Sequence, residues 1–196
     1  MTCAIDHDQY FPDPTTPPRP GLSLGLPLRD DPLKGTRDAL EAAQLVREEF
    51  PELTVEGMGR DHLPSLPSWL NQRTLADDTA VRRFLSDLTV FVFPSHHEGW
   101  GLPAMEAMAC GTALVAADSV GLRDFAVADK TALIVPPGRP ADLAVSIIRL
   151  LRDHHLRQRL TQAGRHRVLD YSWEQQTDRL LAVIDSVIAR PRGRSS

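Results

Sequence analysis

The chain has almost no cysteine. Its two, Cys3 and Cys110, stand far apart and without a CxxC spacing, which excludes a disulfide framework and a zinc ribbon and fits a reducing, cytoplasmic compartment. It also lacks an apolar run long enough to span a bilayer, and no charged segment followed by an apolar one opens it. A soluble protein is therefore expected. Charge of one sign is not concentrated either. The net charge is −4, and the one short basic cluster, Arg190, Arg192 and Arg194, reads as a frayed, solvated end, with residues 191–196 a disordered tail and no nucleic-acid surface. Internal repeats are absent, and only the opening residues are biased in composition.

What is present is ordinary for a globular protein: 42% hydrophobic and 24% charged residues in 196, enough for one domain. Pro12, Pro14, Pro17, Pro18 and Pro20 crowd residues 1–20. Proline at that density neither donates to a ladder nor continues a helix, so this segment is expected to be an extended interdomain-type linker. Residues 21–190 form the domain.

Within it, residues 22–28, 53–58, 88–93, 113–117 and 132–135 are short apolar runs. Residues 35–50 show helical spacing of Ala39, Leu40, Ala43 and Val46 and end at Pro51. Residues 81–85 and 103–109 are expected to be helical, as are 141–188, with breaks near Asp153, Gly164 and Tyr171. Continuous apolar strands alternating with helices predict an α/β fold: a Rossmann-like parallel sheet covered by helices on both faces. Ligands of such sheets sit at the carboxyl ends of the strands, which makes the segment after Phe93 a candidate site.

That segment reads SHHEGWGLPAMEA, residues 95–107. Gly99 and Gly101 let a ligand approach the main chain. Pro103 suits the first turn of a helix, whose free N–H groups and dipole favour a diphosphate. Glu98 in the loop and Glu106 one turn into the helix can both face the same cleft, where carboxylates accept hydrogen bonds from vicinal hydroxyls. Taken alone, two such glutamates would be an ordinary loop acid and a solvated helix residue. The glycines, Pro103 and the strand-loop-helix context favour a nucleotide sugar. A competing reading is the dinucleotide fingerprint Gly99-x-Gly101-x-x-Ala104 with Asp118 beyond the next strand, although that motif normally closes a domain's first strand-helix unit.

Glu98 and Glu106, with seven residues between them, resemble the E-x7-E signature of GT-B glycosyltransferases of the retaining family 4 type, the glycosyl transferases group 1. VFVFPSHHEGWGLPAMEAMACGTALVAAD (90–118) is similar to that family's central block. LIVPPGRPADLAVSIIRLLRD (133–153) and YSWEQ (171–175) resemble its ending, AIDHDQYFPD (4–13) its interdomain linker, and RDDPLKG (29–35) the spacing of its Arg and Lys pair. The resemblance covers essentially the whole chain and implies the C-terminal, donor-binding half of a GT-B fold.

It also implies roles. Arg29 and Lys34 would grip the donor diphosphate, and Glu98 would contact the transferred sugar; these three are the candidate catalytic residues. Glu106 would bind ribose hydroxyls, and the amides of Gly99, Trp100, Gly101 and Leu102 the sugar and phosphate. Arg73, Thr74 and Leu75 would line the base, Trp100 would shape the sugar pocket, and Trp173 would be a packing residue. Fixed cations would stabilise the leaving diphosphate, so no metal or other cofactor is expected. Asp30, Asp31, Asp77 and Asp78 read as turn and helix-start acids. The expected partners are a nucleotide sugar and an N-terminal acceptor-binding domain or partner chain, with an acceptor at a membrane surface compatible with both. The alternative is a non-catalytic nucleotide-sugar-binding subunit or a truncated remnant. Two departures stand out: GLSLGLPLR lacks the glycine before Arg29, and AVADKTALIV lacks the family's glycine turn.

Overall fold

The computed structural model describes residues 3–16, 20–59, 63 and 65–189. The basic tail beginning at Arg190, and Pro17 and Pro18 of the opening segment, lie outside the described residues.

Six parallel strands form one sheet in the order β3-β2-β1-β4-β5-β6. They are β1 (Ser23–Pro27), β2 (Thr54–Met58), β3 (Leu70–Arg73), β4 (Val90–Phe93), β5 (Ala113–Ala117) and β6 (Leu133–Val135). The helices are α1 (Thr36–Glu49), α2 (Asp78–Ser86), α3 (Leu102–Ala109), α4 (Pro140–Arg152), α5 (His154–Val168) and α6 (Trp173–Ile188). Successive side chains of a strand point to opposite faces, and β4 shows the consequence. Val90 and Val92 join a core with Leu24, Leu26 and Val115 under α1 and α4. Phe91 and Phe93 join a second core with Leu114, Met105 and Met108 on the α3 side. The sheet is covered on both faces, as the continuous apolar runs predict.

Three expectations need correction. β3 has no apolar run in sequence, because Asn71, Gln72 and Arg73 are exposed on an edge strand and only Leu70 is buried. Gly164 does not break a helix. It lies buried inside α5, where an added methyl group would stand 3.0 Å from Met108 Cε and from the Thr131 carbonyl oxygen, so the glycine sets how closely α5 approaches α3. Trp173 does not pack: it is 64% exposed, while Tyr171 is buried and donates to the Asp124 carbonyl.

The missing glycine turn before β6 is replaced by Asp129, whose φ of 57° is left-handed. Its N–H donates to the Ala132 carbonyl at 2.9 Å. Aspartate tolerates this conformation better than most residues.

The opening segment lies against the domain. The Ile5 N–H donates to the Tyr171 carbonyl at 2.9 Å, and Ile5 is buried. Asp13 accepts from the Thr15 hydroxyl at 2.6 Å and from the Thr15 N–H at 2.9 Å, and these bonds, with a smaller contribution from Arg82 Nε at 3.1 Å, hold its carboxyl down at about 2. At the other end, α6 shows solvent an apolar stripe including Leu181, Val183, Val187 and Ile188. Among the described residues, no helix is long and apolar enough to cross a membrane.

Candidate functional site

The strand order places β1 beside β4, where the chain's winding reverses, and a crevice opens at their carboxyl ends. A cavity of about 510 Å³ occupies that crevice, within the usual range for small-molecule sites. Every part of its wall ends or follows a strand. Pro27, Arg29 and Lys34 come with β1, Met58 and Gly59 with β2, and Leu75 and Val81 with β3. Phe93, Ser95, Glu98 and Pro103 come with β4.

The segment after β1 is shaped by its caps. Asp31 accepts from the Leu33 N–H at 2.9 Å and starts the short 3-10 turn Pro32–Lys34. Gly35 then adopts a left-handed φ of 66° and opens α1. This reversal brings Lys34 to the cavity, where Nζ donates to Glu98 Oε1 at 2.9 Å. Ser95 Oγ donates to the same oxygen at 2.8 Å. Arg29 is exposed at the cavity wall, its backbone held by Thr36, whose hydroxyl donates to the Arg29 carbonyl at 2.8 Å. The residue before Arg29, Leu28, is buried, so the departure from the usual glycine leaves Arg29 at the crevice.

On the other wall, Gly101 caps α3 with a φ of 88°, and Pro103 occupies its first turn. Among the described residues, no acceptor takes the amides of Gly99, Gly101 or Leu102. Gly99 has nothing within 4 Å of where a Cβ would stand. Free amides at a helix start beside two cations favour an anion.

The structure therefore brings together Arg29, Lys34, Glu98 and the start of α3. It does not bring in Trp100, whose ring packs on Phe125 and Tyr171 at centroid distances of 5.9 and 5.7 Å and does not line the cavity. Thr74 lies in a larger neighbouring groove of about 810 Å³ along β3 and α2, with Arg73 and Arg83; Leu75 lines both spaces. Ser95, which the sequence does not single out, also lines the cavity. Its position two residues past the end of β4 and three before Glu98 was the available signal. His97 is exposed, and Asp77 caps α2 through the Ala80 N–H at 2.8 Å.

Glu106 is not part of the cavity wall either, contrary to the expectation of one shared cleft. It stands one turn beyond Pro103 on α3, beside Asp78, which is one turn before Val81 on α2. The carboxylate thus adjoins the wall residues at their edge. It is half-buried. Burial, followed by the nearby Asp78 charge, pushes its carboxyl up to about 7. Burial and the Glu106 charge in turn raise the Tyr10 phenol, whose hydroxyl donates to Asp78 at 3.0 Å.

The folded state binds the Glu106 proton more tightly than the unfolded state, so stability attributable to this group is complete below about pH 4.5 and is lost as pH rises to about 7. Glu106→Gln is expected to raise stability by about 2–3 kcal/mol at pH 8.5 and by almost nothing at pH 4. Urea unfolding at the two pH values measures it; an equal gain at both would contradict the cause given.

The family profile described as "Glycosyl transferases group 1" matches residues 28–167. The chain belongs to the glycosyl transferases group 1 family, with the Rossmann-like fold of a GT-B C-terminal domain. A D-inositol 3-phosphate glycosyltransferase of Salinispora arenicola is 34% identical over 201 residues, covering 91% of this chain and 44% of the relative. The chain spans less than half the length of the curated relatives it matches. Among solved structures, the C-terminal domain of a glycosyl transferase group 1 family protein (LpcC) from Francisella tularensis superposes with a TM-score of 0.75 at 23% identity, covering 86% of this chain and 99% of that one. The Anabaena protein Alr3699/HepE, solved in complex with UDP-glucose, gives a TM-score of 0.79 at 16% identity, covering 93% of this chain and 56% of that one.

Proposed function

We propose that this chain is the donor-binding half of a retaining GT-B glycosyltransferase, which moves a sugar from a nucleoside diphosphate to an acceptor. One observation carries the reading: Lys34, Arg29 and the free amides of α3 converge with Glu98 around the crevice at the carboxyl ends of β1 and β4. Negative charge grows on the departing diphosphate as the glycosidic bond breaks, and fixed cations and amides lower that barrier. Lys34, Arg29 and the α3 start would supply this charge without a metal. Glu98 would accept from hydroxyls of the sugar, and Glu106, at the edge of the cavity, from those of the ribose. The Thr74–Leu75 edge would meet the base. Retention at the anomeric carbon follows from the resemblance around Glu98 and Glu106.

The acceptor would come from an N-terminal half or a partner chain, which would cover the apolar stripe of α6. Two unpaired thiols, Cys3 and Cys110, fit a cytoplasmic setting. The dinucleotide reading is disfavoured. Its glycines follow β4 and not β1, and both oxygens of its acidic residue, Asp118, are held by Arg123 at 2.9 Å.

The test is calorimetric titration of the chain with UDP, ADP, GDP, TDP and NAD, followed by the glucose conjugate of the best diphosphate. Binding of one diphosphate and its sugar conjugate in preference to NAD is expected. NAD binding alone would overturn the reading. Sugar transfer by the chain joined to an acceptor half, or its absence there, separates an enzyme from a non-catalytic binding subunit.

A further inference from the structure

The loop carrying Glu98 is fastened at a second point, outside the cavity wall. His96 Nε2 stands 2.5 Å from Asp38 Oδ2, in the first turn of α1. The His96 N–H donates to the Leu33 carbonyl at 2.9 Å. With Ser95 and Lys34 both on Glu98 Oε1, four polar contacts fall within residues 95–98. Three of them run to the segment after β1, joining the two loops that form the crevice. The imidazole and the Asp38 carboxylate are 33% and 19% exposed, so water competes less for their bond than for a surface pair. The ring also lies against the turn at Gly138, where an added methyl group would stand 3.9 Å from Cε1.

After Glu98, Gly99 has open space where a Cβ would stand, although Gly121 packs against its carbonyl side, and glycine carries the largest conformational freedom. Glu98 Oε1 is engaged twice, whereas no donor reaches Oε2 among the described residues. Oε2 is therefore the oxygen left for a ligand hydroxyl, and its direction depends on how residues 95–98 are held.

We propose that His96 is a positioning residue for sugar recognition, acting through Asp38 to hold the Glu98 loop against the start of α1. This deepens the donor-site reading and rests on it. Without the tether, ordering the loop falls to the ligand, and ordering one backbone residue weakens binding by about 5- to 30-fold. The loss falls on the sugar, because Lys34, Arg29 and the α3 amides remain for the diphosphate.

The experiment titrates the full chain with the best-binding nucleoside diphosphate and with its glucose conjugate. His96→Ala and Asp38→Ala are each expected to weaken the sugar conjugate about tenfold and the bare diphosphate less than twofold. His96→Gln, which keeps a side-chain donor, is expected to recover most of the loss. The double variant should be no worse than either single one, since both remove one contact. Amide hydrogen exchange at residues 97–99 should accelerate in His96→Ala without any ligand, and thermal unfolding confirms that each variant is folded. Equal weakening of both ligands, additive single losses, or unchanged exchange would overturn the proposal while leaving the donor site standing. If the unsubstituted chain binds no nucleotide, the donor-site reading falls, and the positioning role with it.

Discussion

Replacing Lys34 with methionine is expected to weaken binding of a nucleoside diphosphate by about 10- to 100-fold, the usual worth of one charge-assisted hydrogen bond to phosphate. Methionine keeps the length of the stem and removes the charge. Lys34 is 26% exposed and Glu98 15%, so the cation is held near the diphosphate position before any ligand arrives. In a chain joined to an acceptor half, kcat should fall further, by about 10²–10³, because leaving-group charge is largest in the transition state. The partner substitution separates the two roles of this pair. Glu98→Gln removes the charge that occupies Lys34, so affinity for the bare diphosphate should hold or rise, while the extra affinity contributed by the sugar disappears. Calorimetry with both ligands distinguishes these outcomes. A Glu98→Gln variant that loses both ligands equally would show that Glu98 holds the loop together and does not read the sugar.

The second large effect is expected from Gly35→Ala. Gly35 has a φ of 66°, a left-handed conformation costing alanine about 1–2 kcal/mol. Its added Cβ would also stand 2.3 Å from the Pro94 carbonyl oxygen. That neighbour is backbone and cannot rotate away, so the β1–α1 and β4–α3 loops must separate. The combined loss is about 3 kcal/mol or more, which for a domain of this size lowers Tm by about 6–12 °C. The same separation pulls Lys34 from Glu98, so nucleotide affinity should fall with stability. Gly99→Ala is the control: nothing lies within 4 Å of the new methyl group, and stability should change little. Thermal unfolding of the two variants side by side checks the argument; similar Tm values would contradict the contact with Pro94.

Much of the fold was legible because buried parallel strands leave a direct trace. VFVF and ALVAA are continuous apolar runs whose alternate side chains feed two separate cores, whereas the equally apolar run LLAVI of α6 lies exposed. β3 left no such trace, since an edge strand needs only Leu70 buried. Gly164 was misread because its freedom from a side chain serves helix-helix contact there and not a break. Trp173 and Trp100 were misread for a related reason: an aromatic residue declares a need for burial without saying where. Trp100 found Phe125 and Tyr171, whereas the exposed Trp173 has no place in this domain's core.

The site divides along the same line. The residue types and their order along the chain determined that a glycine turn, a helix start and an acid would follow the apolar run ending at Phe93, because those are local properties of a few neighbouring residues. Which side chains meet was decided only by the tertiary structure. Lys34 and Glu98 are 64 residues apart and touch because the reversal of winding sets β1 beside β4. The same packing left Glu106 at the margin of the cavity, next to Asp78, with its proton affinity raised. Distance between remote residues, and the dielectric they share, exist only once the sheet has closed its register.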